Sequence, residues 1–161
     1  MERVNESIRA LNAEADEFEK SKMYEEAAKA YYDAARLGND RVQDSKGAAI
    51  LFRRSASCYL KTKSRSAIDC FEWMVDYMLK KGKIYRAIEY CVEYGYSCEK
   101  ELDDAPKSEE FYKRAEELRR QHNISHVCVM KKFDQSSYEN NISKARSDIM
   151  QDFLQENSRY K

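Results

Sequence analysis

One pattern limits the fold of this chain more than any other. A small residue is followed four residues later by a large one, and three residues after that by a third residue on the same side. Ala27–Tyr31–Ala34, Ala48–Phe52–Ser55, Ala67–Phe71–Met74, Ala87–Cys91–Tyr94 and Ser108–Tyr112–Ala115 all fit it. The first members lie 21, 19, 20 and 21 residues apart. Steps of four and three keep residues on one face of an α-helix. A return after twenty residues is one helix plus one turn, and a return after forty is one antiparallel pair. This is the signature of an α-solenoid. The small residue lets two helices approach and the large one fills the space beside it.

Composition supports the same class. With one proline and four glycines in 161 residues, the chain has little material for the many turns that strands need. Charged residues make up 36% of it, so most helices must keep a wet face. The expected fold is all-α, a tetratricopeptide-like α-solenoid of antiparallel helix hairpins with about 7–8 helices. The expected domain is single, spanning 1–161, with a regular stack over 3–121 and a divergent capping segment over 122–161.

Individual helices follow from local pattern. Over 65–80 the polar residues Arg65, Asp69, Glu72, Asp76 and Lys80 form one narrow stripe, and nearly everything else is apolar. Such a helix must be packed on two sides. Lys80, Lys81 and Gly82 then read as its end, with cations in the last turn and glycine at the left-handed position. A helix over 84–102 buries Ile84, Ala87, Ile88, Cys91, Tyr94, Cys98 and Leu102, with Arg86, Glu89, Glu93, Ser97 and Lys100 outside. Gly95 lies in its middle, where glycine costs about 1 kcal/mol relative to alanine, so a close helix–helix approach is expected there. Pro106 suits the first turn of a helix over 106–121. Val4, Ile8, Leu11, Ala15 and Phe18 give a first helix over 3–21, and residues 38–44 read as a loop. Beyond 121 the period weakens. A short helix over HNISHVCVMKKF and a last one over 139–157, with Ile142, Ile149 and Phe153 on one face, are expected there.

Net charge is zero, so the total implies no nucleic acid. The distribution is uneven. Residues 50–86 hold nine basic side chains against three acidic ones, a net of +6, while 99–118 hold eight acidic against four basic. A basic patch flanked by acidic ends follows. No run of about eighteen apolar residues exists, so no helix is expected to span a membrane, and the charged start does not read as a secretory signal. Cys58, Cys70, Cys91, Cys98 and Cys128 are odd in number and fall mostly on apolar helix positions, as reduced core cysteines of a cytoplasmic protein do. Without a secretion signal, the acceptor patterns at Asn123 and Asn141 should stay unmodified.

Little of the sequence carries chemistry. There is no glycine-rich phosphate loop. The two histidines, His122 and His126, could meet Cys128 on one turn as metal ligands, but the spacing is loose and no fourth ligand is evident. The tyrosines, twelve in all, sit mainly at helical core spacing. No catalytic residue, cofactor or metal is expected, and the chain reads as a surface for another protein.

Two stretches carry a resemblance. Residues 59–118 contain Ala67-Ile68-Asp69-Cys70 at a helix start, Gly82-Lys83 at its end, Glu99-Lys100-Glu101-Leu102 closing the next helix, and Lys107-Ser108 with Tyr112 and Ala115 in the one after. In this order and register they resemble the soluble NSF-attachment proteins, the adaptors of vesicle fusion. Residues 10–37, ALNAEADEFEKSKMYEEAAKAYYDAARL, look like the first hairpin of that family.

The resemblance implies a non-catalytic adaptor in vesicle trafficking and membrane fusion. Its partner would be the SNARE complex, gripped by a basic face, with a link to the disassembly ATPase NSF. It would be cytoplasmic, with peripheral membrane association at most. Lys61 and Lys83 sit where the family carries basic residues. Arg53, Arg54, Lys80 and Lys81 join them on charge density alone. Three departures stand out. The chain is much shorter than the family, so a hairpin after 38 and most of the C-terminal half are expected to be missing. The turn SKMY is too short for the family's apolar membrane loop. The end MQDFLQENSRYK does not resemble the acidic, leucine-containing terminus that meets the ATPase. Two alternatives are a tetratricopeptide-like scaffold for other partners and, at the N-terminus, a microtubule-interacting-and-trafficking type module. Tail-binding scaffolds need basic and asparagine side chains converging on one face, which sequence alone does not display.

Overall fold

The computed structural model of the chain describes residues 2–124, and these form six α-helices with no strand among them. They are α1 (Glu2–Lys20), α2 (Tyr24–Arg41), α3 (Ser45–Lys61), α4 (Ala67–Lys80), α5 (Ile84–Lys100) and α6 (Ala105–Gln121). The chain is all-α, a run of helices joined by tight turns, as the twenty-residue recurrence requires. The helices expected over HNISHVCVMKKF and 139–157 lie outside the described residues. Internal packing divides the chain after Tyr77 into two compact units.

In the first unit, α2 packs against both α1 and α3. Tyr31 on α2 reaches Glu19 on α1, and Ser55 on α3 donates a 2.8 Å hydrogen bond to the carbonyl of Ala28 on α2. Phe52 lies 5.5 Å from Tyr32 and 4.4 Å from Trp73 on α4, and Trp73 stacks on Tyr77 at 5.2 Å. The large member of the α3 pattern therefore joins three helices. The small members Ala27, Ala48 and Ala67 are all buried. On α2, Ala27, Ala28, Ala30, Ala34 and Ala35 are buried together, so α2 gives its neighbours a surface of small side chains. Each large ring removed from water beside it contributes roughly 1.5–3 kcal/mol.

In the second unit, α5 and α6 form a hairpin. The small members Ala87 and Ser108 are again buried. A β-carbon built on Gly95 would lie 2.6 Å from Cε1 of Tyr112. The ring of Tyr112 thus occupies the space a side chain at 95 would fill, which accounts for a glycine in mid-helix. Tyr90 stacks on Tyr94 at 5.3 Å, and Tyr94 meets Phe111 edge-on at 6.2 Å.

Local turn geometry shows a longer period than the side-chain pattern does. One residue with left-handed φ follows every helix: Lys22, Gln43, Lys63, Gly82, Asp103 and Asn123. The first three and the last three are each sixty residues apart. The turn bonds repeat with them. Met23 N donates to Phe18 O and Lys83 N to Met78 O; Ser64 N donates to Tyr59 O and Ile124 N to Arg119 O. These are the six-to-one bonds of Schellman ends. Asp44 N and Asp104 N instead reach six residues back, to Gly38 O and Cys98 O. Both aspartates then cap the next helix, accepting from Gly47 N at 2.9 Å and Lys107 N at 3.1 Å. The chain thus repeats its turn chemistry every three helices.

Two local expectations are corrected. Residues 38–41 are helical, so the loop is only 42–44. Gly38 is no turn residue; it is buried on α2, and its missing β-carbon would meet Ile8 of α1 at 4.0 Å. Glu89, assigned to the wet stripe of α5, is buried. Arg86 one turn earlier bonds it at 3.0 Å while lying over the Tyr90 ring, which closes off the carboxylate.

Candidate functional site

The six basic candidates fall three in each unit, and all are exposed. In the first unit, α3 carries Arg53, Arg54 and Lys61. Seven residues is nearly two turns, so Arg54 and Lys61 share a face, while Arg53 points about 100° away. Arg54 faces Asp16 of α1 at 3.6 Å and lies over the Tyr31 ring at 5.9 Å. The Lys61 ammonium sits 4.5 Å from the Tyr24 ring centroid. Next to it, Thr62 donates to Glu25 at 2.9 Å. Arg54 therefore stands beside an acidic neighbour from α1, which counting charge along the sequence could not reveal. In the second unit, Lys80, Lys81 and Lys83 surround the α4–α5 turn, with Gly82 at φ 72°. Tyr85, one of the exposed large apolar side chains, stands one helical step beyond. Lys80 stands in the last turn of α4, where the helix dipole favours a cation, while Lys83 is the N-cap of α5, where it does not.

Ionisable groups in the core are tuned toward neutrality. Burial first, then hydrogen bonds to Asp16 and Glu19, holds the Tyr31 hydroxyl well above the usual phenol range. Burial pushes the Cys58 thiol up to about 11 and the Cys70 thiol up to about 12. Such thiols stay protonated and are poor nucleophiles. Cys58, Cys70, Cys91 and Cys98 are buried thiols outside any disulfide. No group of three or more His, Cys, Asp or Glu side chains among the described residues could hold a metal ion, and His126 and Cys128 lie outside those residues.

A second feature escaped sequence reasoning. A groove of about 320 Å³ runs between α1 and α3 over the end of α2. Asn5, Ile8, Arg9 and Asn12 line it from α1, Gly38 and Val42 from the α2 end, and Asp44, Ile50, Leu51 and Arg54 from the α3 side. Asn5, Arg9 and Asn12 have the four-then-three spacing of one helix face, a signal the sequence does carry. What it lacks is the partner wall on α3.

The decisive comparison is with protein families. A model described as "Soluble NSF attachment protein, SNAP" matches residues 1–147. The chain belongs to the SNAP family. No curated protein and no solved structure matches it. At the level of that family, the role is SNARE- and NSF-related trafficking, and SNAP proteins are non-catalytic adaptors. No helix among the described residues is long and apolar enough to cross a membrane.

Proposed function

We propose that this SNAP-family chain is a non-catalytic adaptor that grips a SNARE coiled-coil bundle through Arg53, Arg54, Lys61, Lys80, Lys81 and Lys83. The observation that carries this reading is the family match over residues 1–147. The exposure of all six side chains is compatible with it. The chain works in the cytoplasm and touches membranes only at the periphery. The attraction is electrostatic and distributed, so each exposed contact is worth about 1 kcal/mol or less and weakens with salt. The Arg54–Asp16 pair favours a second reading, a scaffold for other partners, because it neutralises part of the set.

The test is SNARE-bundle affinity at low and moderate salt. Reversing one lysine to glutamate should weaken binding modestly, while reversing Lys61, Lys80, Lys81 and Lys83 together should nearly abolish it. Thermal melts should be unchanged, because these side chains are exposed. Unchanged affinity in a folded quadruple variant overturns the basic-face mechanism and leaves the scaffold reading.

A further inference from the structure

We propose that Arg54 and Lys61 read the register of one partner helix, taking acidic side chains that stand seven residues apart on the outside of a coiled coil. This rests on the adaptor reading above and adds a spacing rule to it. Each of the two cations rests on a tyrosine of α2. The Lys61 ammonium lies 4.5 Å from the Tyr24 ring centroid, and the Arg54 guanidinium 5.9 Å from that of Tyr31. A cation this near a ring is attracted by its quadrupole. The two rungs share one spacing. Arg54 and Lys61 are seven residues apart on α3, and Tyr31 and Tyr24 are seven apart on α2, counted in the opposite direction. Each rung is also tied from the side. Asp16 accepts from the Tyr31 hydroxyl and pairs with Arg54 at 3.6 Å. Thr62, next to Lys61, donates to Glu25, next to Tyr24, at 2.9 Å. Two helices therefore place both head groups, and both stay open to solvent: the Arg54 side chain is 51% exposed and Lys61 is exposed.

Seven residues advance a helix by about 10.5 Å and return it to within about 20° of the same face. A partner helix lying along α3 matches that distance only with carboxylates seven residues apart. Spacings of three or four give about 4.5–6 Å, and eleven gives about 16.5 Å. Seven is also the repeat of a coiled coil, so acidic residues at one outward heptad position offer the pair from any two successive heptads. Asp16 does not close the Arg54 end. It faces one guanidinium nitrogen, and a guanidinium carries five N–H donors. At the other end, ring and carboxylate hold the Lys61 ammonium from different sides.

The test uses the full chain and two designed two-stranded coiled coils, equal in length, net charge and glutamate content. In one, the outward glutamates of each helix repeat every seven residues. In the other, no two on a helix are seven apart. At low salt the heptad-spaced coil should bind about fivefold more tightly, the scale of one exposed ion pair. Lys61→Ala combined with Ser57→Lys keeps the net charge but brings the two cations within three residues; Ser57 is exposed, so the melt should hold while the preference disappears. Tyr24→Leu leaves every charge in place and should shrink the preference, and Tyr24→Phe, which keeps the ring, should restore it. Equal binding of the two coils, binding of neither, or a preference that survives the relocation or Tyr24→Leu overturns the proposal. The adaptor reading is decided separately on the SNARE bundle. Loss of bundle binding in the quadruple variant together with equal binding of the two coils keeps the basic face and removes the register, whereas unchanged bundle affinity in that variant removes the basic face itself.

Discussion

The hairpin α2–α3 and the hairpin α5–α6 lie sixty residues apart and solve one packing problem in opposite ways. Their turns share three features: a left-handed residue, an amide reaching six residues back, and an aspartate capping the next helix. Their contact surfaces do not match. On α2 five buried alanines keep the helix thin, and bulk comes from elsewhere, with Phe52 running into Tyr32 and Trp73. On α5 the equivalent stretch is thick: Ile88 stands where α2 has Ala28, and Tyr90 where it has Ala30. Space for the partner helix is then cut at one point, at Gly95 beneath Tyr112. The comparison teaches that turn chemistry holds the register while side-chain volume is free to move from one helix of a pair to the other.

The harshest test places a charge at equivalent buried sites. Ala27→Asp and Ala87→Asp are both fully buried positions, and each should cost several kcal/mol in urea unfolding. A loss at one site and not the other would break the equivalence of the two hairpins. Next, Gly95→Val should cost about 2–3 kcal/mol, because its side chain collides with Tyr112. Adding Tyr112→Ala should recover part of that loss in a double-mutant cycle. Its counterpart Ala35→Val meets a different surface, and an identical coupling to Phe52 would mean that volume has not been traded as described. The smallest effect belongs to the caps. Asp44→Ala and Asp104→Ala should each cost about 1 kcal/mol, since each accepts a backbone amide at the third helical position, with the larger loss at the buried Asp104. A larger loss at the exposed Asp44 would show that burial does not set the strength of the two caps.

The parts legible in the sequence were those set by one helix and its own turn. All five small members of the recurring pattern are buried, Gly82 takes the left-handed position, and Gly95 marks a close approach. The misreadings came from applying local rules where tertiary contacts decide. Gly38 looked like a turn and instead gives room to Ile8. Glu89 fitted the polar stripe, yet Arg86 folds over it. Charge density along the chain, which suggested Arg53, Arg54, Lys80 and Lys81, does not show that Asp16 of another helix faces Arg54. The groove needed two helices to exist at all, so its asparagines carried no meaning until α3 stood opposite them.

Because residues 22 and 82 occupy the same place in equivalent turns, the natural increment of length in this chain is three helices. Joining Lys22 directly to Lys83 would remove sixty residues. The amide of Lys83 would still lie five residues beyond Phe18, the carbonyl that Met23 now uses. The join closes an end of the same kind on either side of the cut. A gene built this way can shorten or lengthen its product in whole blocks without inventing a new connection.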